Sequence, residues 1–428
     1  MYFFSNHITL SRFAKLVILF YLLGVLSNVT YKYYGGVKAK NYVMSSDMEG
    51  YYQYLPYVLL QKKETVKNMR WAIDYENGNR LNAFTCGVAI MQLPFFLIAH
   101  GASKYFDLET TGYTPVYFMS VFFATLFYVL VGLIFLYKAL LRFFKQQYAF
   151  WTTALIFYAT NLFYYTIICP GMSHAYSFSL IAMFIYFVPL FYEKPDIKNS
   201  FGLILPFALA VLIRPTNIIA GLYFLLFDIS SWKLLSERFL FFLKKWYLLA
   251  LMAFASFIVF LPQMLYWRYV TGEFVVYSYQ EFGFDNILSP YISAVLIGPR
   301  NGLFLYTPVM LLATISLMYM VYKKQMSVVG ILLLMITIVY VDASWFKPTF
   351  SGAAGYRALI EFFPIMSIPL AFVIQRVMDG NNKIYKISLK SLLVFFVVYN
   401  ILFAYKYSHW LWWNTDWQWS HFLRLVKF

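Results

Sequence analysis

Residues 114–137 read TPVYFMSVFFATLFYVLVGLIFLY, a run without one charged side chain. A helix needs about 20 apolar residues to cross the hydrocarbon core of a bilayer, so this run predicts a membrane-spanning helix. The chain as a whole has the same character: 62% of its 428 residues are hydrophobic, 12% are charged, and the mean hydropathy is +0.64. These values exclude an ordinary soluble enzyme and predict an all-α polytopic membrane protein.

Other apolar runs of spanning length follow along the chain. They are 14–30, 149–168, 173–192, 201–228, 247–269, 302–322, 327–342, 357–376 and 387–405. The stretch 84–103 is apolar too, and the positive-inside rule decides its status. The short loops rich in Lys and Arg all fall on the cytoplasmic side only if 84–103 does not cross and if 201–228 breaks at Arg214-Pro215. Proline removes a helix donor and clashes with the preceding turn, which makes that break physically reasonable.

The resulting prediction is about eleven transmembrane helices in the cytoplasmic (inner) membrane, with the N-terminus inside and the C-terminus outside. Residues 1–405 form one transmembrane domain, whose first outer loop, 31–113, carries interfacial juxtamembrane helices. The segments 270–301 and 343–356 are the other long outer loops. The tail 406–428 is predicted to lie at the outer interface as an aromatic belt segment. Its tryptophans are Trp410, Trp412, Trp413, Trp417 and Trp419.

Charge and cysteine content exclude several kinds of partner. The net charge of +16 comes without a basic run or patch motif, so we expect it to reflect topology and lipid phosphates rather than nucleic acid. Cys86 and Cys169 are isolated, which predicts no disulfide framework. No metal-ligand spacing, phosphate loop or dinucleotide fingerprint is present. The sequence leaves a divalent-metal requirement open.

An acidic motif follows the first apolar run. Residues 45–56 read SSDMEGYYQYLP, in a chain with only 18 acidic residues. Ionisable groups held against a membrane are costly and usually mark a site, so Asp47 and Glu49 are the candidate catalytic residues. One of them would deprotonate an acceptor hydroxyl or amine. The alternative is structural, because Ser45, Ser46 or Asp47 could cap a helix that begins near Met48.

Four arginines at the predicted outer face suggest an anion site. They are Arg80, Arg214, Arg300 and Arg357. Arg300 lies in GPRNG (298–302) and Arg357 ends SGAAGYR (351–357); glycines beside an arginine let backbone N–H groups approach an anion that the guanidinium binds. His174, at a break between two spans, could donate to the same phosphate. The alternatives are snorkelling anchors, a structural turn at Arg214 and a satisfied interfacial histidine.

Taken together, these motifs resemble the GT-C superfamily of integral-membrane glycosyltransferases. The similarity is to the branch of protein O-mannosyltransferases and bacterial aminoarabinose transferases, glycosyltransferase family 39. It is carried by DMEGY (47–51), by GVAIMQLPFF (87–96), which looks like the family's juxtamembrane helix, by LIRPTN (212–217) at the broken span, and by the segment that ends at Arg357.

The resemblance implies an inverting transfer of a sugar from a polyprenyl-phosphate donor at the outer face. Asp47 would take the place of the family's catalytic base, and Arg300, Arg357, Arg80 and His174 would hold the donor phosphate. The acceptor would be a lipid, a glycan or a protein. The chain departs from the family pattern because it lacks an adjacent Asp-Glu pair and a large soluble C-terminal domain.

Two other functions remain compatible with the sequence. A lipid-linked oligosaccharide polymerase or ligase would share the outer-face arginines but would not need a carboxylate base near the first span. A transporter of the lipid carrier would place polar residues near mid-bilayer and often shows internal repeats. Here the polar residues cluster at one face, which favours the transferase.

The topology is tested by tags near Lys40 and Phe106. Labelling of single cysteines, or glycosylation tags, should report both positions on the outer side, because 84–103 is predicted not to cross. Opposite sides would show that this stretch spans the membrane.

Overall fold

The computed structural model describes residues 15, 18–19, 21–22, 25–26, 47–61, 72–75, 78–279, 282–324, 328–350, 352–408 and 417–427. The protein is mostly helical and has the architecture of an all-α membrane protein. One small element departs from that class: a two-stranded antiparallel hairpin in the first predicted outer loop, in which Ile73 pairs with Leu81.

The described part of the loop 31–113 contains short helices around that hairpin. Its elements are α1 (Asp47–Tyr52), α2 (Tyr54–Leu59), β1 (Ala72–Asp74), β2 (Arg80–Asn82) and α3 (Gly87–Tyr105). Helix α3 contains the stretch predicted to lie along the membrane surface. It packs against α1 and α2 and against the long helix that follows.

The remainder of the chain forms the helical bundle. Its α-helices are α4 (Pro115–Leu140), α5 (Gln146–Tyr158), α6 (Ser173–Glu193), α7 (Ile197–Ile213), α8 (Gly221–Leu225), α9 (Trp232–Lys244), α10 (Trp246–Thr271), α11 (Ile292–Ile297), α12 (Leu303–Tyr306), α13 (Val309–Tyr322), α14 (Val329–Ser344), α15 (Phe363–Asp379), α16 (Lys383–Ser408) and α17 (Trp419–Val426). A π-helix (Tyr164–Ile168) and two 3₁₀-helices (Pro215–Ala220 and Arg357–Phe362) connect some of them.

Five helical segments in the described ranges are long and apolar enough to cross a membrane. They are α4, α6, α10, Arg357–Asp379 and Lys383–Tyr407. Helices α7, α13 and α14 are apolar but shorter. At about 1.5 Å per residue, the 14-residue α13 spans about 21 Å of a core that is about 30 Å thick. Helix length therefore does not establish the predicted eleven spans.

The predicted break at Arg214-Pro215 is present. Helix α7 ends at Ile213, Arg214 has extended backbone (φ −145°, ψ 115°), and a 3₁₀-helix begins at Pro215. The Asn217 side chain donates to the Ala210 carbonyl (2.9 Å) and to Ser177 Oγ (3.1 Å). The Ala210 carbonyl also accepts from the Arg214 N–H (3.0 Å), so the Asn217 side chain adds a second bond there and ties the break to α6.

Two runs that we predicted as spans are not continuous α-helices. In 149–168, helix α5 ends at Tyr158 and the chain resumes as the π-helix. The Asn400 side chain donates to the carbonyls of Tyr158 (2.9 Å) and Thr160 (2.8 Å), which stabilises the open turn. The run 302–322 is interrupted between α12 and α13, where Pro308 cannot donate a backbone hydrogen bond.

The described part of the Trp-rich tail folds back onto the bundle. Trp417 Nε1 donates to the Pro299 carbonyl (2.8 Å), and Phe422 of α17 packs on Tyr306 with ring centroids 5.3 Å apart. Helix α17 also contacts α16. Trp410, Trp412 and Trp413 lie outside the described residues. The tail is thus attached next to the GPRNG segment.

The centre of the bundle depends on the close approach of α4 and α6. A Cβ atom at Gly132 of α4 would lie 2.7 Å from the Ser179 Cα of α6, a distance that side chains do not tolerate. Backbone atoms cannot move away as a flexible side chain could. A Cβ atom added at Gly101 of α3 would have no other atom within 4 Å. Gly101 is therefore the matched control: a helical glycine with open space where the side chain would go.

We expect Gly132→Ala to destabilise the protein and Gly101→Ala to be neutral or stabilising. Overpacking costs about 1–3 kcal/mol, whereas removing an unneeded helical glycine contributes about 0.5–1 kcal/mol. Thermal unfolding of the two purified variants in detergent measures the difference. Equal melting temperatures would show that α4 and α6 do not pack through this contact.

Candidate functional site

Asp47 and Arg357 meet in an ion pair. Asp47 begins α1 and Arg357 begins a 3₁₀-helix, and Asp47 Oδ2 lies 3.0 Å from Arg357 Nη2. Their side chains are 16% and 18% exposed, so both are largely shielded. The sequence predicted Asp47 as a catalytic base and Arg357 as part of a separate anion site. In the structure the two are direct partners.

The position of Asp47 is set by contacts of helix α1. The Tyr51 hydroxyl donates to Ser173 Oγ at the start of α6 (3.1 Å), and the Asn82 side chain donates to the Gly50 carbonyl (2.7 Å). Gly50 packs directly on the Phe84 ring, where a larger side chain would collide. Because these contacts come from separate elements, α1 is held on several sides. The predicted capping by Ser45 or Ser46 lies outside the described residues.

A second charged group is completely buried beside the first. Glu361 is 0% exposed, and its Oε1 accepts a hydrogen bond from Nδ1 of His174 (3.0 Å). Arg214 Nε lies 3.1 Å from the same oxygen, at ion-pair distance but without hydrogen-bond alignment. The predicted break after α7 thus brings its arginine to the carboxylate that also holds His174.

An aromatic ring joins the two ion pairs. Phe350 lies with its ring centroid 5.9 Å from the Arg214 guanidinium and 6.0 Å from that of Arg357. Its backbone has φ +50°, a conformation that costs free energy for a bulky residue and that clusters at functional sites. We infer that surrounding packing holds this ring between the two guanidinium groups.

The segment before Arg357 is held by the break between α5 and the π-helix. Ala354 N–H donates to the Tyr165 hydroxyl (3.0 Å), and the Asn161 side chain donates to the Ala354 carbonyl (3.0 Å). Gly355 has φ +72°, which favours glycine. The Ala354 N–H is therefore already bonded within the protein and is not available to an anion. The backbone conformation accounts for glycine at 355. Any anion bound here would be held by the guanidinium groups.

Four buried polar atoms of this cluster have no hydrogen-bond partner among the described residues. They are Arg214 Nε, Arg357 Nε, Asp342 Oδ2 and Glu361 Oε2. Leaving such groups unsatisfied costs about 1–3 kcal/mol each, so native proteins rarely do so without a polar ligand or water. Two donors and two acceptors are thus available to a ligand that carries both anionic and hydroxyl groups.

Sequence reasoning missed Glu361 and Asp342. Both lie in apolar runs that were counted only as spans, 357–376 and 327–342. An ionisable residue inside such a run is itself a signal of a functional or paired site. Asp342 is 3% exposed and lies close enough to Arg214 and Glu361 for their charges to interact.

Two tyrosines border the cluster from outside the spans. Burial and the neighbouring Asp47 carboxylate raise the pKa of Tyr51, which therefore stays a neutral hydrogen-bond donor. Tyr279 is 36% exposed, yet desolvation by the protein around it raises its pKa as well; its hydroxyl lies near Arg214, Asp47 and Arg357.

The other predicted residues lie elsewhere. Glu49 is half-buried on α1 and forms no side-chain hydrogen bond or ion pair with the described residues. Arg80 forms an ion pair with Asp74 within the hairpin (Nε–Oδ1, 2.6 Å), so Asp74 compensates its charge. The Tyr407 hydroxyl lies near enough to Arg300 and to Arg357 to interact with both charges. Of the predicted residues, Asp47 and Arg357 meet in one ion pair, and Arg214 and His174 meet at Glu361.

The described residues contain no group of three or more His, Cys, Asp or Glu side chains arranged to hold a metal ion. No protein-family model matches the chain, and comparison with curated proteins finds no similar one. The site is therefore interpreted from its own geometry and chemistry.

We expect Glu361→Ala to lower the free energy of unfolding by about 3 kcal/mol, because it leaves the Arg214 charge without its partner. Unfolding in detergent by increasing denaturant concentration measures the effect. The matched control is Glu237→Gln, which removes an exposed i,i+4 pair with Lys233 and should change stability by less than about 1 kcal/mol. Equal stability of the two variants would contradict the buried ion pair.

Proposed function

We propose that the protein is an inverting GT-C-like glycosyltransferase. It would move a sugar from a polyprenyl-phosphate donor to an acceptor at the outer face of the cytoplasmic membrane. The observation that supports this most directly is the Asp47–Arg357 pair, in which the guanidinium keeps a buried Nε–H without a partner among the described residues. A proton acceptor and an anion binder thus lie side by side in a helical membrane protein.

The donor phosphate would bind to Arg214 and Arg357 beside the Phe350 ring. Both guanidinium groups have a buried Nε–H without a hydrogen-bond partner among the described residues, and both lie about 6 Å from that ring. Charge-assisted hydrogen bonds from arginine to phosphate are strong and geometrically specific. A lipid chain would extend from this phosphate into the bilayer, which accounts for a phosphate site inside a membrane protein.

Donor binding would make the base accessible. In the present pair, Arg357 Nη2 lies 3.0 Å from Asp47 Oδ2 and occupies that carboxylate oxygen. A phosphate bound to Arg357 would compete for the guanidinium and leave the oxygen for the acceptor proton. The reaction would therefore begin only after the donor is in place, which protects the donor from transfer to water.

The transfer then follows in one displacement. Asp47 takes the proton from the acceptor O–H or N–H, and the acceptor atom attacks the anomeric carbon. The bond between that carbon and the phosphate oxygen breaks, and the phosphate leaves with the electron pair. Arg214 and Arg357 stabilise the charge that develops on the leaving oxygen. Attack opposite the leaving group inverts the anomeric configuration.

We expect Asp47→Asn to lower turnover of a polyprenyl-phosphate sugar by about 10²- to 10⁴-fold, the usual contribution of a general base. Glu49→Gln is the matched control, since this side chain lies on the same helix turn without a contact to the cluster. Its turnover should stay within about threefold of wild type, as expected of a substitution that breaks no hydrogen bond or ion pair. The measurement is release of polyprenyl phosphate by purified protein in detergent.

Near-normal turnover of Asp47→Asn would show that another group is the base. Stoichiometric binding of intact lipid-linked sugar without bond cleavage, in wild type as well, would favour a carrier-lipid transporter instead.

A further inference from the structure

Asp342 is a buried carboxylate that the proposed transfer does not use. It lies in the last turn of α14, and its Oδ2 has no hydrogen-bond partner among the described residues. Within those residues it forms no direct ion pair, because the nearest cation, Arg214, pairs with Glu361. An aliphatic residue would stabilise this apolar helix better, so the carboxylate needs another explanation.

Hydrogen bonds from another segment hold the end of α14. Asn286 N–H donates to the Ser344 carbonyl (3.0 Å), and the Asn286 side chain donates to the Trp345 carbonyl (2.9 Å). Tyr291 N–H donates to the Ala343 carbonyl (3.0 Å). These bonds come from the segment before α11 and satisfy the last carbonyls of the helix. They hold the Asp342 turn in place without using its side chain.

Aromatic rings connect this turn with the catalytic helix. Trp345 contacts Tyr279 edge to face (5.9 Å, 89°), Tyr279 contacts Phe84 (6.3 Å), and Phe84 contacts Tyr51 of α1 (4.8 Å). These four residues form an aromatic wall that leads from the end of α14 to the helix that carries Asp47. Flat apolar rings next to a carboxylate are a combination suited to a sugar, which has both C–H faces and hydroxyl groups.

Arg214, one of the two proposed phosphate ligands, is close enough to Tyr51 and Tyr279 of this wall and to Asp342 for its charge to interact with them. Its Nε lies 3.1 Å from Glu361 Oε1. A ligand whose phosphate binds Arg214 would therefore have its next group beside Asp342 and the aromatic wall. In a polyprenyl-phosphate sugar that group is the sugar itself.

We propose that Asp342 and the aromatic wall form the subsite for the donor sugar. The Asp342 carboxylate accepts hydrogen bonds from hydroxyl groups of the ring, and the wall packs against its apolar face. This subsite rests on the proposed function and adds to it the part of the protein that distinguishes one donor sugar from another.

The test compares binding of bare polyprenyl phosphate with binding of polyprenyl-phosphate mannose, glucose and arabinose to the full-length protein in detergent. Wild type should bind at least one sugar-bearing lipid more tightly than the bare lipid. In Asp342→Ala that advantage should fall by about 10- to 100-fold, the effect expected for hydrogen bonds to a charged acceptor, while binding of the bare lipid stays unchanged.

Two further variants make the result specific. Asp342→Asn keeps one acceptor oxygen and the side-chain shape, so it should retain part of the advantage and change the order of preference among the three sugars. Thr337→Ala changes a half-buried residue of the same helix whose hydroxyl donates to the Leu333 carbonyl within α14, and it should behave as wild type. Melting temperatures of all variants establish that they are folded.

The possible failures are distinguishable. If Asp342→Ala keeps the full preference for the sugar-bearing lipid, or loses binding of the bare lipid equally, the sugar subsite is wrong and the proposed transferase stands. If wild type binds neither bare nor sugar-bearing lipid, the proposed function is wrong and this subsite with it.

Discussion

The structure depends on compensating charges inside an apolar helical bundle. Moving an ion out of water costs several kcal/mol even after relaxation, and only well-placed partners offset that cost. Here Asp47 pairs with Arg357, and Glu361 pairs with Arg214 and accepts a hydrogen bond from His174. Arg357 and Glu361 lie on one 3₁₀-helix, and their partners come from three other segments. Helix α1, the start of α6, the break after α7 and the 3₁₀-helix must therefore all take fixed positions around one point.

Interrupted helices are the means by which the chain reaches that point. Irregular backbone at membrane depth is tolerated only where the protein or a polar cavity supplies hydrogen bonds. Asn217 satisfies groups around the break at Arg214, and Asn161 does so for the segment before Arg357. Both breaks border the charged cluster. A polar centre inside a membrane protein is what a lipid-linked phosphate substrate would require, and this supports the transferase proposal.

Local signals in the sequence predicted the elements better than the contacts. Apolar runs and the proline at 215 predicted helices and one break, because hydropathy and the missing donor act where they occur. The break after Tyr158 was not predicted, because its satisfying partner, Asn400, is distant in the chain. Arg80, Arg300 and Arg357 appeared equivalent at the outer face, yet Arg80 pairs within its own hairpin and Arg357 with Asp47. Glu361 and Asp342 were overlooked inside apolar runs.

The sequence alone determined that this is a helical membrane protein, that its acids are few, and that the chain breaks at Arg214-Pro215. Composition and backbone chemistry are properties of the sequence itself, so they can be determined without knowing the tertiary structure. The tertiary structure decided which charges are partners and which buried donors and acceptors are left for a ligand. Such pairing depends on how α1 packs against α6 and on where the broken ends of helices converge, and neither is encoded in residue spacing.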